Sequence, residues 1–171
     1  TVSDQEYEVI KRTLPKVPPA AFENFRITNN QLGTGGPKAK FTANIAAIKT
    51  LKAIERQDRR ATAEEQEVLS QYVGWGGISH AFDDSKKDWT KEYAELKDLL
   101  TEKEYAAARE STLTAFYTPP VIIKAMYQAL GDMGFKTGNI IDPGCGDGNF
   151  IGLLPDSMNS SRFYGVEIDS V

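Results

Sequence analysis

The fold is decided by the stretch Asn139-Ile-Ile-Asp-Pro-Gly-Cys-Gly-Asp-Gly-Asn-Phe150 and by Arg162-Phe-Tyr-Gly-Val-Glu167, which follows it. Two apolar runs, from Asn139 to Asp142 and from Arg162 to Glu167, have the composition of buried parallel strands, and a glycine-rich turn lies between them. Each run ends in a carboxylate. Because ligands of open α/β sheets bind at the carboxyl ends of the strands, the pattern predicts a binding site at this edge.

The glycine-rich turn carries three glycines at alternate positions, Gly144, Gly146 and Gly148. Glycine adopts positive φ without steric cost and lets the backbone approach a ligand closely, and we expect these properties to be used in the turn. Asp142 is placed to accept hydrogen bonds from an amine or from N–H groups of the loop. Glu167 is placed to accept hydrogen bonds from two ribose hydroxyls, as the acid after the second strand does in dinucleotide folds.

A nicotinamide or flavin site is the nearest rival, since its Gly-x-Gly-x-x-Gly fingerprint holds a pyrophosphate at a helix N-terminus. Here the third glycine comes one residue too early, and Asn149 occupies the position where that fingerprint needs glycine. Asp147 would repel a pyrophosphate but tolerates a cationic sulfonium. The pattern therefore favours S-adenosylmethionine (SAM) as the cofactor. An ordinary glycine-rich turn between strand and helix remains the alternative.

A second motif, Phe116-Tyr-Thr-Pro-Pro120, precedes the first strand and opens an apolar segment, Val121-Ile-Ile-Lys-Ala-Met-Tyr-Gln-Ala-Leu130. Proline at the first helical position predicts a helix start, with Thr118 as its N-cap. In amino-methyltransferases whose cofactor-binding half comes first, an aromatic-x-Thr-Pro turn closes over the methionine end of SAM. A proline-capped helix without a cofactor role is the alternative.

These motifs together resemble the amino-terminal part of the large adenine-specific DNA methylases of bacterial mobile elements. The resemblance runs from about Asn24 onward and also includes Tyr72-Val-Gly-Trp-Gly-Gly77 and Gly165-Val-Glu-Ile-Asp169. In those proteins a gamma-type N6-adenine methyltransferase region is often joined to a helicase-like region. The resemblance implies SAM-dependent methylation of the exocyclic amine of adenine in DNA, as in restriction-modification. DNA would be the partner of the full-length parent.

The resemblance also implies roles for individual residues. Tyr117, Thr118 and Pro119 match the turn near the methionine moiety, Glu167 matches the ribose acid, and Ile168 is expected against the adenine ring. The cofactor-binding loop would be formed by Asp142, Pro143, Gly144, Cys145, Gly146 and Gly148. Relatives usually carry Ser or Ala where Gly144 stands, and the effect of the added charge of Asp147 on affinity does not follow from the resemblance.

The catalytic motif of that family is missing from the sequence. The family holds the target amine with an Asn- or Asp-Pro-Pro-aromatic tetrapeptide, whose ring stacks on a flipped base. Thr118-Pro-Pro-Val121 and Val17-Pro-Pro-Ala20 contain the two prolines but lack the amide and the aromatic ring. We therefore assign no catalytic and no metal-binding residue, and expect an inactive, cofactor-binding fragment with more chain on both sides.

The predicted fold class is α/β: a mainly helical region, 1–110, followed by a truncated Rossmann-like SAM-dependent methyltransferase domain, 111–171, with the first two parallel strands only. Such a sheet would leave edges unpaired, so we expect self-association or coverage of the edges by the chain's own helices. The alternative to a cofactor-binding fragment is a non-catalytic, DNA-associated interaction module with a methylase-like fold.

Net charge, the single cysteine and the lengths of the apolar runs limit the possible partners and the cellular compartment. The 171 residues carry a net charge of −4, so bulk charge does not indicate a nucleic-acid surface. Leu32-Gly-Thr-Gly-Gly-Pro-Lys-Ala-Lys40 could offer Lys38 and Lys40 to a phosphate, although a flexible surface loop is the simpler interpretation. The single cysteine, Cys145, suits a reducing cytoplasm and is interpreted as a small packed residue, the alternative being a nucleophile. No apolar run is long enough to span a membrane.

The helical region shows three capping boxes, Ser3 with Glu6, Thr62 with Glu65 and Thr101 with Glu104. Two apolar sets at near-helical spacing predict amphipathic helices; they are Ile45, Ile48, Leu51 and Ile54, and Tyr93, Leu96, Leu99 and Leu100. Trp75, set among glycines, is predicted to anchor the helical region against the sheet, because large aromatic side chains are more often buried than exposed. Stacking on a base is the alternative.

Overall fold

The computed structural model describes residues 25–167, and its chain is mainly helical with one two-stranded parallel sheet, consistent with the α/β class. The Ser3–Glu6 capping box and Ile168 lie outside the described residues. The elements, in chain order, are α1 (Pro37–Arg56), α2 (Ala63–Leu69), α3 (Thr90–Leu99), α4 (Glu102–Ser111), α5 (Pro120–Asp132), β1 (Asn139–Asp142), α6 (Asn149–Gly152) and β2 (Arg162–Gly165). Short 3-10 helices lie at Ser79–Phe82, Lys87–Trp89 and Asp156–Met158.

Two of the predicted capping boxes are confirmed. Thr62 accepts a hydrogen bond from the backbone N–H of Glu65, and the Glu65 side chain accepts one from the N–H of Thr62, at the start of α2. Thr101 and Glu104 make the same reciprocal pair at the start of α4. Each box satisfies two N–H groups that a helix start leaves without an intrahelical partner, so the local sequence alone fixes where these helices begin.

A helical core forms around the aromatic ring of Trp75, which is 1% exposed. Its ring lies 6.2 Å from that of Phe41 on α1 and 5.3 Å from that of Phe82, both edge to face. The amphipathic faces of α1 and α3 are confirmed. This core contains Ile45, Ile48, Leu96 and, just past the end of α3, Leu100, and Tyr93 and Leu99 pack against it. Ile54 is buried outside this core. Leu51, also predicted to be buried, is 41% exposed.

The predicted burial of Trp75 is confirmed, and it is incompatible with base stacking in this structure. The predicted anchoring of the helical region against the sheet is wrong, because the ring packs inside the helical core. The sheet instead packs on α5, through a second cluster that contains Ile123, Tyr127 and Met158, with Ile140 of β1 against it. Trp75 is therefore a structural residue of the helical region.

The two strands pair in parallel as predicted, with Asn139 opposite Arg162 and Asp142 opposite Gly165. The second strand ends at Gly165 and not at Glu167. Pro143 has no backbone N–H, and β1 therefore cannot continue the ladder. The next residue of the second run, Val166, donates its N–H to the Asp142 carbonyl at 2.9 Å and accepts from the N–H of Cys145 at 3.0 Å. The glycine-rich loop is thereby tied to the end of β2.

The start of α5 differs from the prediction. Thr118 is not the N-cap: the cap residue is Pro119, and no side chain caps the helix. The reason is the second proline. Pro120 occupies the first helical turn, and the residue before a proline is kept extended, so Pro119 takes the cap position with φ −60° and ψ 145°. The Pro119 carbonyl accepts from the N–H groups of Ile122 and Ile123 at 3.0 and 3.2 Å.

The prediction that both strands are buried is wrong: no residue of β1 or β2 is fully buried, because the face of the sheet opposite α5 is open to solvent. Ile141 and Tyr164, which face each other in register, are 68% and 45% exposed. Self-association of the sheet stays a prediction. Among residues 25–167 no helix combines the length and the apolar character needed to cross a membrane.

Candidate cofactor site

The glycine-rich loop uses its three glycines differently. Gly146 and Gly148 have φ of +50° and +80°, so positive φ is confirmed at both. Gly144 does not adopt positive φ, and a Cβ at this position would have no atom within 4 Å. Neither backbone conformation nor space therefore requires glycine at position 144. The loop closes on itself through the Gly148 N–H, which donates to the Cys145 carbonyl at 2.8 Å.

Asp142 ends β1 and points one carboxylate oxygen at the loop. Its Oδ1 accepts from the N–H of Gly144 at 3.4 Å, whereas Oδ2 is buried and has no hydrogen-bond partner among the described residues. A buried acceptor without a partner costs free energy, about 1–3 kcal/mol and more when charged. Asp142 is therefore ready to accept a hydrogen bond from a donor that binds at the carboxyl end of β1.

Glu167 lies two residues past β2 and reaches the loop. Its Oε2 accepts from the N–H of Gly146 at 2.8 Å. The structure thus brings together the two acids that the sequence placed at the strand ends, with Gly144 and Gly146 between them. Pro143 lies in the same turn. Ile168, the predicted neighbour of an adenine ring, lies outside the described residues.

The ring of Tyr117 lies against the glycine-rich loop, and its role in closing over a cofactor stays a prediction. A Cβ at Gly146 would lie 2.5 Å from the ring atom Cε1 of Tyr117. A Cβ at Gly74, in the helical region, would lie 2.7 Å from Cε2 on the other edge of the same ring. Gly74 was not predicted as a site residue, and the only sequence signal for it was the unusual clustering of glycines around Trp75.

Thr118 and Pro119 line a recess of about 150 Å³ together with Lys40 and Asn149. Neither Asp142 nor Glu167 lines this recess, so the acids and the Thr-Pro turn occupy adjacent parts of the edge, joined by Tyr117. Asp142 Oδ2 can accept a hydrogen bond from an amine, and Glu167 can accept one from a ribose hydroxyl. Gly144 leaves space beside them for an adenosyl ligand that carries these donors. The residues present therefore fit SAM.

Asp147 lies on the far side of the loop, where a second cavity of about 290 Å³ separates the loop from α2. Its carboxylate accepts from the backbone N–H and the side-chain amide of Asn149, at 3.3 and 3.0 Å. Asp147 as a whole is exposed, but its carboxylate is largely desolvated by the surrounding protein. This desolvation raises the pKa of Asp147 to about 7, although the hydrogen bonds from Asn149 act in the opposite direction. The negative charge of Asp147, which would repel a pyrophosphate, is therefore only partly present near pH 7.

Cys145 has the environment of a packed residue. Its Sγ would contact a Cβ at Gly165 at 2.8 Å, which shows how closely the loop and β2 approach. Burial, followed by the nearby Asp142 and Glu167 carboxylates, raises the pKa of the thiol above its ordinary value. The thiol is therefore protonated at neutral pH, and the nucleophile alternative has no support, because the thiolate is the reactive form.

The basic stretch that runs into α1 does not offer Lys38 to a phosphate, since Lys38 lies in the first turn of the helix. Lys38 Nζ donates to the Asp88 carbonyl at 2.5 Å, pairs with the Glu92 carboxylate at 2.6 Å and lies 4.1 Å from the ring centre of Trp89. A phosphate would have to break these contacts. Lys40 lies in the recess beside Thr118.

Comparison with known proteins gives one relative to report. A type II methyltransferase, M.CvrRI of Paramecium bursaria Chlorella virus XZ-6E, is 36% identical to the chain over 75 residues, which is 44% of this chain and 19% of that protein. The chain thus matches about a fifth of the length of this relative. No protein-family model matches the chain, and no solved structure matches it significantly.

Proposed function

We propose that this chain is the cofactor-binding part of a SAM-dependent methyltransferase that acts on the N6 amine of adenine in DNA. The observation that carries the proposal is the buried Asp142 oxygen without a partner, at the end of β1 and beside the glycine-rich loop. The similarity to a type II methyltransferase supports the methyltransferase class. The N6-adenine assignment rests on the resemblance of the motifs.

Each part of the site has a role in this proposal. Asp142 accepts from the cofactor's amine, Glu167 accepts from the ribose hydroxyls, and Tyr117 with Thr118 and Pro119 closes the turn over the methionine end. Ile168 would lie against the adenine. SAM supplies an activated methyl group. The chain's residues hold and orient it, and proximity to the acceptor amine then supplies much of the rate.

The residues that align the acceptor amine are not found in this sequence, since no Asn- or Asp-Pro-Pro-aromatic tetrapeptide occurs in it. We therefore propose that the acceptor is bound by other parts of a larger cytoplasmic protein, within a Rossmann-like domain that begins near residue 111 and follows the helical region 1–110. The net charge of −4 agrees with this division, because a strong attraction to DNA is not built into this part.

Calorimetric titration of the chain with S-adenosylhomocysteine tests the proposal. We expect measurable binding, weakened about 10-fold or more in Asp142→Asn and in Glu167→Gln, since a hydrogen bond to a charged group contributes about 1.5–3 kcal/mol. Asp132→Asn, at the exposed end of α5, is the matched control and should bind as the wild type does.

Two results would contradict the proposal. One is a folded chain that binds no S-adenosylhomocysteine, and the other is equal affinity in wild type and Asp142→Asn. The first result would favour the alternative function, a non-catalytic interaction module. Circular dichroism of each variant shows that the comparison is made between folded proteins.

A further inference from the structure

Residues 72–76 of the helical region, which we call the Gly74 loop, contact the turn that carries Tyr117. We infer that this loop positions Tyr117 for cofactor binding, so that the helical region contributes to the site. The inference rests on the proposed function. Tyr117 lies in a slot between Gly74 and Gly146, which we call the tyrosine slot.

The width of the slot is set by two glycines. Contacts between carbon atoms are optimal at about 3.5–4.0 Å, whereas a Cβ at Gly74 or Gly146 would lie only 2.7 or 2.5 Å from the ring of Tyr117. Since the two contacts fall on opposite edges of the ring, Tyr117 cannot move away from one without pressing on the other. A methyl group at either glycine therefore has to displace the ring.

The Gly74 side of the slot is held by a buried amide. Asn44, which is 0% exposed, donates from Nδ2 to the Gly74 carbonyl at 2.7 Å and accepts from the N–H of Val73 at 2.9 Å. The first hydrogen bond is buried and the second is partly buried, so water competes little with them and they hold the loop against α1. The chain therefore carries a rigid support for Gly74 that sequence spacing does not reveal.

A second contact fixes the backbone that leads into Tyr117. The N–H of Gly76 donates to the Ala115 carbonyl at 3.1 Å, and a Cβ at Gly76 would overlap that carbonyl oxygen. The ring of Tyr72 also lies 6.4 Å from the ring of Tyr117. Residues 72–76 thus hold both the side chain and the preceding backbone of the turn.

The other side of the slot leads directly to the ribose acid. Gly146, which contacts one edge of the Tyr117 ring, donates its N–H to Glu167 at 2.8 Å. Displacement of the ring would therefore disturb the loop at the atom that holds Glu167. A continuous set of contacts runs from Asn44 through Gly74, Tyr117 and Gly146 to Glu167.

The test compares two glycines with positive φ. Gly74 has φ of +69° and Gly134, in the turn after α5, has φ of +89°, so alanine is strained at both. A Cβ at Gly134 would have no atom within 4 Å, and Gly134 does not line the recess beside Thr118. Gly134→Ala is therefore the control for Gly74→Ala, because it introduces backbone strain without entering the tyrosine slot.

Both variants are titrated with S-adenosylhomocysteine well below their unfolding temperatures. We expect Gly74→Ala to weaken binding at least 10-fold and Gly134→Ala less than 3-fold. Replacing Tyr117 with alanine should remove the difference, so that Gly74→Ala costs no further affinity in a Tyr117→Ala background. Equal losses in the two glycine variants, or a Gly74→Ala variant with wild-type affinity, would overturn the inference.

A second readout separates this inference from the proposed function. 3-Fluorotyrosine at position 117 reports the position of the ring by fluorine NMR without any ligand. Gly74→Ala should shift its resonance and Gly134→Ala should not. Failure of the wild type to bind S-adenosylhomocysteine would count against the proposed function alone, whereas an unshifted resonance in Gly74→Ala would refute the slot.

Discussion

Replacement of Trp75 by alanine is the sharpest test of how the helical region is held together. The indole ring is 1% exposed and packs edge to face against Phe41, Tyr72 and Phe82. Truncation of a buried Trp to Ala costs about 3–5 kcal/mol through lost burial and the cavity left behind. One term opposes this cost: Nε1 of Trp75 is buried without a hydrogen-bond partner among the described residues, and its removal relieves about 1–3 kcal/mol.

The central values of the two terms, about 4 kcal/mol of cost and about 2 kcal/mol of relief, leave a net expected cost of about 2 kcal/mol for Trp75→Ala. In a protein of this size each kcal/mol lowers the melting temperature by about 2–4 °C, so we expect a decrease of about 4–8 °C. Circular dichroism during heating measures it. Leu113→Ala is the control, since Leu113 is 82% exposed and should leave the melting temperature nearly unchanged.

Trp75→Phe separates the two terms, because it retains a ring in the core and removes the N–H without a partner. It should be less destabilising than Trp75→Ala. A Trp75→Ala variant that melts within about 2 °C of the wild type, far less than a buried Trp predicts, and that has lost nucleic-acid or cofactor binding would refute the structural role of the ring.

Two further predictions concern a helix start and a carboxylate. Thr101→Ala should lower the melting temperature by about 2–4 °C, because loss of an N-cap costs about 1 kcal/mol. Thr118→Ala should change the melting temperature by less than about 1 °C, since no side chain caps α5. Equal decreases in the two variants would contradict the assignment of Pro119 as the cap. Burial raises the pKa of Asp147 to about 7, so the folded chain binds the carboxyl proton of Asp147 more tightly than the unfolded chain does. The free energy of unfolding gained from this proton is therefore lost as the pH rises from about 4 to 7. Urea unfolding at pH 5 and pH 8 should show this loss in the wild type and a smaller loss in Asp147→Asn, and an equal loss in both would refute the assignment to Asp147.

Helix starts and strand bounds were predicted correctly where contacts within a few residues determine the local structure. A capping box at Thr62 or Thr101 satisfies its N–H groups within four residues, so both helix starts were predictable. The first strand was predictable with its bounds, because an apolar run followed by proline can only end there. The parallel pairing was expected because the first and second strands are neighbours in a Rossmann-like fold, and the chain between them is long enough for a crossover.

Errors arose where two local preferences compete. Thr118 is a good N-cap residue, but Pro119 and Pro120 move the helix start by one position. The second apolar run continues to Glu167, but Pro143 ends the partner strand and Val166 pairs with the glycine-rich loop instead. Gly144 looked equivalent to its neighbours, although only Gly146 and Gly148 adopt positive φ.

The sequence by itself determined the glycine-rich loop, the two acids at the strand ends and the Tyr-Thr-Pro turn, because each is a local pattern of residue types. Only the tertiary structure decided that Gly74 and Gly146 enclose Tyr117, that Asn44 supports Gly74, and that Asp142 Oδ2 is buried without a partner. These features join residues far apart in the chain. Their contacts depend on how the helices and the sheet pack, and no local preference specifies that packing.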